Sequence, residues 1–120
     1  MTKRLILGLT EEISIFGKDN KEEKLRARID TGATASSVDI KLAEKLGLGP
    51  VIRTKLVKSA SGKKVRDIVM VEVNIKGKLI KGEFSLANRE GLSYSVLIGQ
   101  NVLKEGYFLV DPLINKDNKE

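Results

Sequence analysis

One stretch of the sequence places a carboxylate, a hydroxyl and a glycine in consecutive positions after a strand-like segment. Asp30, Thr31 and Gly32 follow residues 25–29, in which apolar and charged side chains alternate. A glycine here lets the backbone turn closely past the carboxylate and direct an N–H at it, and a threonine hydroxyl can hold the loop in place. A carboxylate held in this way can act on a water molecule as an acid–base catalyst. The same residue types also form ordinary turns, so the tripeptide alone leaves both interpretations open.

The remaining composition restricts the chemistry. The chain has no histidine and no cysteine. Their absence excludes Ser-His-Asp and Cys-His catalysis, disulfides, and zinc or haem sites that need imidazole or thiolate ligands. An enzyme of this composition must therefore work with carboxylates, hydroxyls, lysine, arginine, tyrosine and backbone groups.

Length and hydropathy indicate one small domain. The chain has 120 residues, of which 41% are hydrophobic, which is enough for a single core. We expect the domain to cover residues 1–114 and a polar tail to cover 115–120. No segment reaches the roughly 20 apolar residues of a membrane helix. The short apolar N-terminal run ends at Glu11 and Glu12, so we expect a first strand of a cytoplasmic protein rather than a signal peptide.

The dominant period of the sequence is two, which is typical of half-buried strands. Residues 65–75 and 79–87 read as a hairpin joined by a turn at Lys76-Gly77-Lys78. Helical signals are limited to residues 40–47, with Asp39 as N-cap, and to 99–106. Further strands are expected at residues 51–58, 94–98 and 107–111. The pattern predicts a mainly β domain, a closed or partly open β-barrel with one or two short helices.

The order of these segments resembles the retropepsin-like (acid protease) fold, with Asp-Thr-Gly after a strand, then a long hairpin, then an apolar pair and Gly99 before a helix. Several segments are similar to the family labelled ATP-dependent zinc protease, some members of which are associated with ATP-grasp ligases that add glutamates to proteins. The segments that carry this resemblance are Arg28–Ala33, Ser36-Ser37, Ala87–Arg89, Leu97–Gly99 and Phe108–Pro112.

The resemblance implies an aspartic endopeptidase with Asp30, Thr31 and Gly32 as catalytic residues. Catalytic zinc sites ordinarily carry histidine or cysteine, so we expect no metal and no cofactor in this chain. The aspartic mechanism needs two carboxylates that share a proton. Since the chain has one Asp-Thr-Gly, the simplest source of the second carboxylate is a homodimer with Asp30 of each copy at the axis.

Three other aspartates could supply the second carboxylate within one chain, but none has the same Thr-Gly support. They are Asp39, Asp67 and Asp111. Asp39 is better explained as a helix cap, and Asp111, which precedes Pro112, as a turn former.

Five residues are candidates for substrate binding: Ala33 and Arg28 beside the catalytic loop, Arg89 further along the chain, and Ser61 and Gly62. Residues 59–64 read either as a mobile hairpin tip that covers the cleft, as a flap does, or as a plain solvated turn. Arg28 precedes Asp30 by two residues, so a regular strand places both on one face. It could receive an acidic substrate side chain or neutralise Asp30. Arg89, together with Arg53 and Arg66, could also pair with carboxylates.

The net charge of +6 leaves nucleic acid as a partner to consider, but aromatic residues are only 4% of the chain. Single-strand binding usually combines basic residues with stacking rings. We therefore expect a peptide or protein substrate and neither a nucleic acid nor a membrane. Within the resemblance, a glutamate-rich peptide is the candidate substrate, and an ATP-grasp ligase or its product is the candidate partner. The alternative is a non-catalytic module of the same fold that binds a peptide or a partner protein.

Overall fold

The computed structural model describes residues 3–59 and 62–114. Ser61 and the expected tail at 115–120 lie outside the described residues. In the described ranges the chain forms nine strands, two α-helices and a single 3-10 turn at Lys18–Asn20. The elements are β1 (Ile6–Leu7), β2 (Thr10–Phe16), β3 (Glu22–Ile29), β4 (Ser36–Asp39), α1 (Ile40–Leu46), β5 (Val51–Ser59), β6 (Gly62–Ile75), β7 (Lys78–Ala87), β8 (Val96–Ile98), α2 (Gln100–Glu105) and β9 (Leu109–Val110).

Seven of the strands form one sheet in the order β2-β3-β8-β4-β7-β6-β5, and β2 also pairs with β6. This additional pairing closes six strands into a barrel and leaves β5 outside it, paired with β6. β1 and β9 form a separate parallel pair. The predicted mainly β fold with a closed barrel and two short helices is confirmed. Among the described residues, no helix combines the length and hydrophobicity needed to span a membrane.

The period of two in the sequence places the apolar side chains in the barrel. On β6, the side chains of Val69, Val71, Val73 and Ile75 are buried, while the intervening Met70 is exposed. The turn after β6 consists of Lys76 and Gly77, both with positive φ (55° and 85°), which is the conformation that a two-residue hairpin requires. The predicted hairpin is therefore confirmed.

Local capping signals define the first helix. The carboxylate of Asp39 accepts a hydrogen bond from the N–H of Lys41, and Gly47 ends the helix in the left-handed region at φ 66°. Both positions agree with the sequence prediction. This helix and β4 meet at Asp39, so the cap also fixes the direction in which the chain leaves the sheet.

The sequence pattern missed two strands. β2 contains Glu11, which looks like a solvent-facing residue but is buried and accepts a hydrogen bond from the N–H of Gly8. β4 begins with Ser36 and Ser37, which are also buried. In both strands a polar residue lies inside because a hydrogen bond satisfies it, and such burial breaks the apolar alternation by which strands are recognised.

Candidate active site

The loop that carries Asp30 is fixed to the end of the sheet. The N–H of Asp30 donates to the carbonyl oxygen of Ile98 at 2.9 Å, which extends the parallel pairing of β3 with β8 by one residue. The N–H of Gly32 donates to Oδ1 of Asp30 at 2.9 Å, as the sequence predicted. Ala33 closes the turn by donating its N–H to the Asp30 carbonyl oxygen at 3.3 Å. Asp30 is half-buried, so its carboxylate is oriented by a backbone donor and still accessible.

Helix α2 holds the rest of the loop. The side-chain amide of Gln100 donates to the carbonyl oxygen of Thr31 at 2.8 Å, and its backbone N–H donates to Ala33 at 2.8 Å. We expected the hydroxyl of Thr31 to hold the loop in place. That expectation is wrong for the described residues, where the Thr31 side chain makes no hydrogen bond. The loop is held through backbone carbonyls instead, and the Thr31 side chain is exposed beside Asp30.

A buried polar network supports this arrangement from behind. The N–H of Gly99 donates to Oγ of Ser36 at 2.9 Å, and that hydroxyl donates to Oδ1 of Asn101 at 2.8 Å. The amide of Asn101 donates in turn to the carbonyl oxygen of Glu83 at 2.9 Å. Each polar group in this network has a hydrogen-bond partner, and the network fixes the junction between β8 and α2. The run of small polar residues after Gly32 was the sequence signal for this network, but its partners lie more than 60 residues away.

The remaining aspartates have structural roles. Asp39 caps α1 and accepts a second hydrogen bond from the N–H of Arg89 at 2.8 Å. Asp111 accepts from the N–H of Leu113 at 2.9 Å and so forms the expected turn. Asp67 is exposed on β6. Within the described ranges, no hydrogen bond or ion pair links Asp30 to another titratable side chain.

Strand register places Arg28 and Arg53 at the two ends of one row of side chains across the outside of the barrel. Paired residues on neighbouring strands direct their side chains to the same face. The row runs across β3, β8, β4, β7, β6 and β5, and its members are Arg28, Leu97, Ser37, Ser85, Ile68 and Arg53. Asp30 follows Arg28 by two residues at the end of the row. The row begins beside the catalytic loop, and we call it the cleft floor because it is the surface on which we propose that substrate lies.

Two arginines of the predicted site differ in their contacts: Arg28 lies on this floor, and Arg89 lies beside it, where it reaches Ser37. Arg28 is exposed and makes no ion pair with Asp30 among the described residues. Arg89 is half-buried, donates from Nε to the carbonyl oxygen of Tyr94 at 2.8 Å, and reaches Oγ of Ser37 at 3.4 Å. Burial lowers the pKa of Arg89, Asp39 opposes this effect, and the charges of Arg66 and Arg28 lower it further. Arg66 and Arg28 are therefore each close enough to Arg89 to repel its charge.

The predicted flap corresponds to the β5–β6 hairpin. Its strands are paired from Val51↔Val69 to Ser59↔Gly62, and Gly62 lies at the tip with φ 121° and open space around it. The hairpin prediction is confirmed for the described residues. Ser61 lies outside them, and the mobility of the tip and its contact with substrate remain predictions.

The donor set does not fit a metal centre. The chain has neither histidine nor cysteine, and the described residues contain no group of three acidic side chains able to surround a cation. The carboxylate of Asp39 is occupied by backbone donors, and that of Glu83 by Arg53. Zinc chemistry therefore has no set of ligands in this part of the chain.

Solved structures share the fold. A Legionella pneumophila protein of unknown function (DUF785) has a TM-score of 0.64 at 17% identity, with 93% of this chain and 96% of that chain covered. The EIAV protease bound to the inhibitor HBY-793 has a TM-score of 0.62 at 21% identity, covering 87% of this chain and 92% of that one. The Simian Foamy Virus (mac) protease has a TM-score of 0.59 at 23% identity, covering 79% and 91%. No curated protein sequence matches the chain.

The family is identified by the sequence itself. Residues 41–116, more than half of the chain, match the RimB-like family, described as retropepsin-like aspartic endopeptidase RimB. The match covers the β5–β6 hairpin, Arg89 and the β8–α2 junction, and it begins after the loop that carries Asp30. Together with the barrel and its viral protease neighbours, this match shows that the chain belongs to the RimB-like family of retropepsin-like aspartic proteases.

Proposed function

We propose that the protein is a cytoplasmic aspartic endopeptidase that is active as a homodimer, with Asp30 of each copy as the catalytic carboxylate. The observation that carries this proposal is the geometry of Asp30. The carboxylate is half-buried, it is oriented by the Gly32 N–H, and its loop is fixed to α2 by Gln100. A residue whose only role is to form a turn does not need the support that this loop receives from Ser36 and Asn101.

Two carboxylates about 3 Å apart share one proton, because both cannot be ionised at that distance. The ionised Asp30 takes a proton from a water molecule, while the protonated Asp30 of the other copy polarises the carbonyl of the scissile bond. The water oxygen attacks the carbonyl carbon directly. The tetrahedral intermediate then loses the amine as the C–N bond breaks, and the amine leaves with a proton from the carboxylate pair.

A second copy is the source of the missing carboxylate because Asp39 and Asp111 have structural hydrogen bonds and no other carboxylate of the described residues is bonded to Asp30. The two-fold axis would pass beside Asp30 and Thr31, where the Thr31 side chain is exposed and makes no hydrogen bond in the described structure. A hydroxyl in this position can donate across the axis and fix the two loops against each other. Thr31 and Gly32 therefore act as positioning residues in this proposal.

The substrate is a peptide, and the charge of the cleft favours acidic ones. Arg28 on the cleft floor and Arg89 beside it can pair with carboxylates, and Ala33 lies in the catalytic loop that carries Asp30. Ser61 and Gly62, where the sequence passes from β5 to β6, would cover the peptide through backbone contacts. Glutamate-rich tails are the substrate we propose, in line with the association of the resembled family with ATP-grasp ligases that add glutamates.

Sedimentation combined with a cleavage assay tests this function. We expect a dimer at micromolar concentrations, cleavage of an oligoglutamate peptide by the wild-type protein, and loss of cleavage in Asp30→Asn with an unchanged melting temperature. Asp19→Asn is the matched control, because Asp19 is exposed at φ 57°, a conformation that asparagine tolerates. Cleavage by Asp30→Asn at the wild-type rate would overturn the proposal.

A non-catalytic peptide-binding module is the other candidate. It would be favoured by an Asp30 neutralised through Arg28, since an ion pair keeps the carboxylate charged and hinders proton sharing. No such pair occurs among the described residues. A strict monomer that binds peptide without cleaving it would establish this alternative.

A further inference from the structure

The β5–β6 hairpin extends beyond the barrel and is strongly basic. Residues 62–67 of β6 pair with β5, whereas the pairing of β6 with β7 begins at Ile68. We call the described residues 51–59 and 62–67 the arm. It contains six lysines and arginines and a single acid, Asp67. Their positions are Arg53, Lys55, Lys58, Lys63, Lys64 and Arg66.

The register divides these cations between two faces of the arm. Lys55 lies directly opposite Arg66, and Val57 opposite Lys64, on the face that continues through Ile68 onto the cleft floor. Lys58 lies opposite Lys63 on the other face, which also carries Leu56 and Val65. That second face turns toward α1, since Val65 and Asp67 line a groove with Ile40 and Glu44.

On the cleft-facing side of the arm, Lys55 and Arg66 place two positive charges directly opposite each other. Like charges directly opposite each other destabilise a hairpin, and the described residues provide no ion pair for Lys55, Lys64 or Arg66. Arg53, on the same face, is paired with Glu83. The repulsion reaches the cleft floor, because the charge of Arg66 contributes to the lowered pKa of Arg89. An anion between the arm and the floor would relieve repulsion on both sides.

We propose that Lys55 and Arg66 are specificity-determining residues that hold an acidic substrate side chain against Arg28 and Arg89. The arm closes over the cleft when a carboxylate bridges these two pairs, and it stays apart from the floor when the bound segment is neutral. This inference rests on the proposed function, because it concerns the same cleft. A peptide fits better than a nucleic acid, since residues 51–67 contain no aromatic side chain for stacking.

Binding to the Asp30→Asn protein tests the inference without cleavage. The probes are a fluorescently labelled oligoglutamate peptide and an oligoglutamine peptide of the same length, followed by anisotropy. We expect the double variant Lys55→Gln/Arg66→Gln to lose about tenfold in oligoglutamate affinity, as removal of charge-assisted hydrogen bonds implies. The control Lys58→Gln/Lys63→Gln removes the same charge from the opposite face and is expected to change affinity by less than about twofold, as for distant surface charges.

A charge reversal separates folding from binding. In Lys55→Glu the residue opposite Arg66 becomes acidic, which converts a repulsive cross-strand pair into an attractive one. We expect this variant to be at least as stable as the wild-type protein and to lose oligoglutamate binding. A destabilised arm cannot explain that combination.

Three results would overturn the inference. The first is an equal loss of affinity in the two double variants, which would indicate unspecific electrostatic attraction. The second is equal binding of oligoglutamine and oligoglutamate, and the third is tighter binding of a single-stranded RNA of the same length. None of these readouts measures cleavage, so the two proposals can fail separately. Cleavage by Asp30→Asn would refute the proposed catalysis. The difference in affinity between the two double variants would still test the role of Lys55 and Arg66.

Discussion

The α-carbon of Gly99 lies so close to the Ala35 carbonyl that a Cβ atom at position 99 would overlap its oxygen. The same Cβ would lie 2.9 Å from the carbonyl oxygen of Ala33. The β8–α2 junction and the loop that carries Asp30 are therefore in backbone contact, and no side chain fits between them. This contact allows α2 to fix the catalytic loop through Gln100.

We predict that Gly99→Ala destabilises the protein by about 3 kcal/mol or more, at the upper end of the range for overpacking, because the atoms that must move belong to the backbone. Chemical denaturation of the purified variant measures the loss. Gly82→Ala is the matched control. Its Cβ would contact side-chain atoms of Val102 and Asn101 at 3.2 Å or more, and we expect a change within about 1 kcal/mol. Equal losses in the two variants would contradict the close approach at Gly99.

The sequence predicted those features that depend on neighbours in the chain. The Gly32 N–H aimed at Asp30, the cap at Asp39 and the turn at Gly77 each arise from residues within three positions of one another. Such local geometry follows from backbone sterics and short-range hydrogen bonds, which composition and order determine directly.

The features that it missed depend on residues far apart in the chain. The bond from Gln100 to Thr31 spans 69 residues, and the burial of Ser36 is explained only by its contact with Gly99. The contact from the Arg89 guanidinium to Ser37 likewise spans 52 residues. The cleft-floor row exists only once the register of six strands is known. Local sequence patterns do not reveal such long-range pairings.

The amide of Gln100 leads to a prediction about positioning. Gln100→Glu has nearly the same shape but cannot donate to the Thr31 carbonyl when it is ionised. We expect kcat to fall roughly tenfold or more, as for a misplaced catalytic group, with little change in KM or in the melting temperature. Steady-state kinetics on an oligoglutamate peptide measures the effect.

Gln100→Arg provides the control, because its guanidinium restores a donor of sufficient length. We expect it to recover most of the lost kcat. A loss in Gln100→Arg as large as that in Gln100→Glu would show that the contribution of position 100 is not the hydrogen bond to Thr31.

Asp39 leads to a graded prediction about stability, because its two oxygens have different partners. Oδ2 accepts from the N–H of Lys41 and Oδ1 from the N–H of Arg89. Asp39→Ala removes both acceptors, and we expect a loss of about 2 kcal/mol. Asp39→Ser keeps an oxygen for the helix cap and is expected to lose about half as much. Denaturant midpoints at constant m-value measure the series, and equal losses in the two variants would contradict separate roles for the oxygens.

Arg28 lies on the cleft floor and Arg89 beside it. We predict different changes in stability and in KM when each is replaced by alanine. Arg28 is exposed and has no partner among the described residues, so Arg28→Ala should change stability by less than about 0.5 kcal/mol. Arg89 anchors the loop before β8 through Tyr94 and Ser37. We therefore expect Arg89→Ala to cost about 1–3 kcal/mol, since it leaves partly buried acceptors unpaired.

Kinetics on acidic and neutral peptides completes the comparison. For Arg28→Ala we expect KM for an oligoglutamate peptide to rise about tenfold, equivalent to one charge-assisted hydrogen bond, with KM for a neutral peptide unchanged. Arg89→Ala should raise KM for both peptides, because the loop beside the cleft loses its anchor. If Arg28→Ala raised KM for both peptides equally, the Arg28 guanidinium would not be a receptor for substrate carboxylates. An unchanged denaturation midpoint in Arg89→Ala would show that its contacts to Tyr94 and Ser37 do not stabilise the fold.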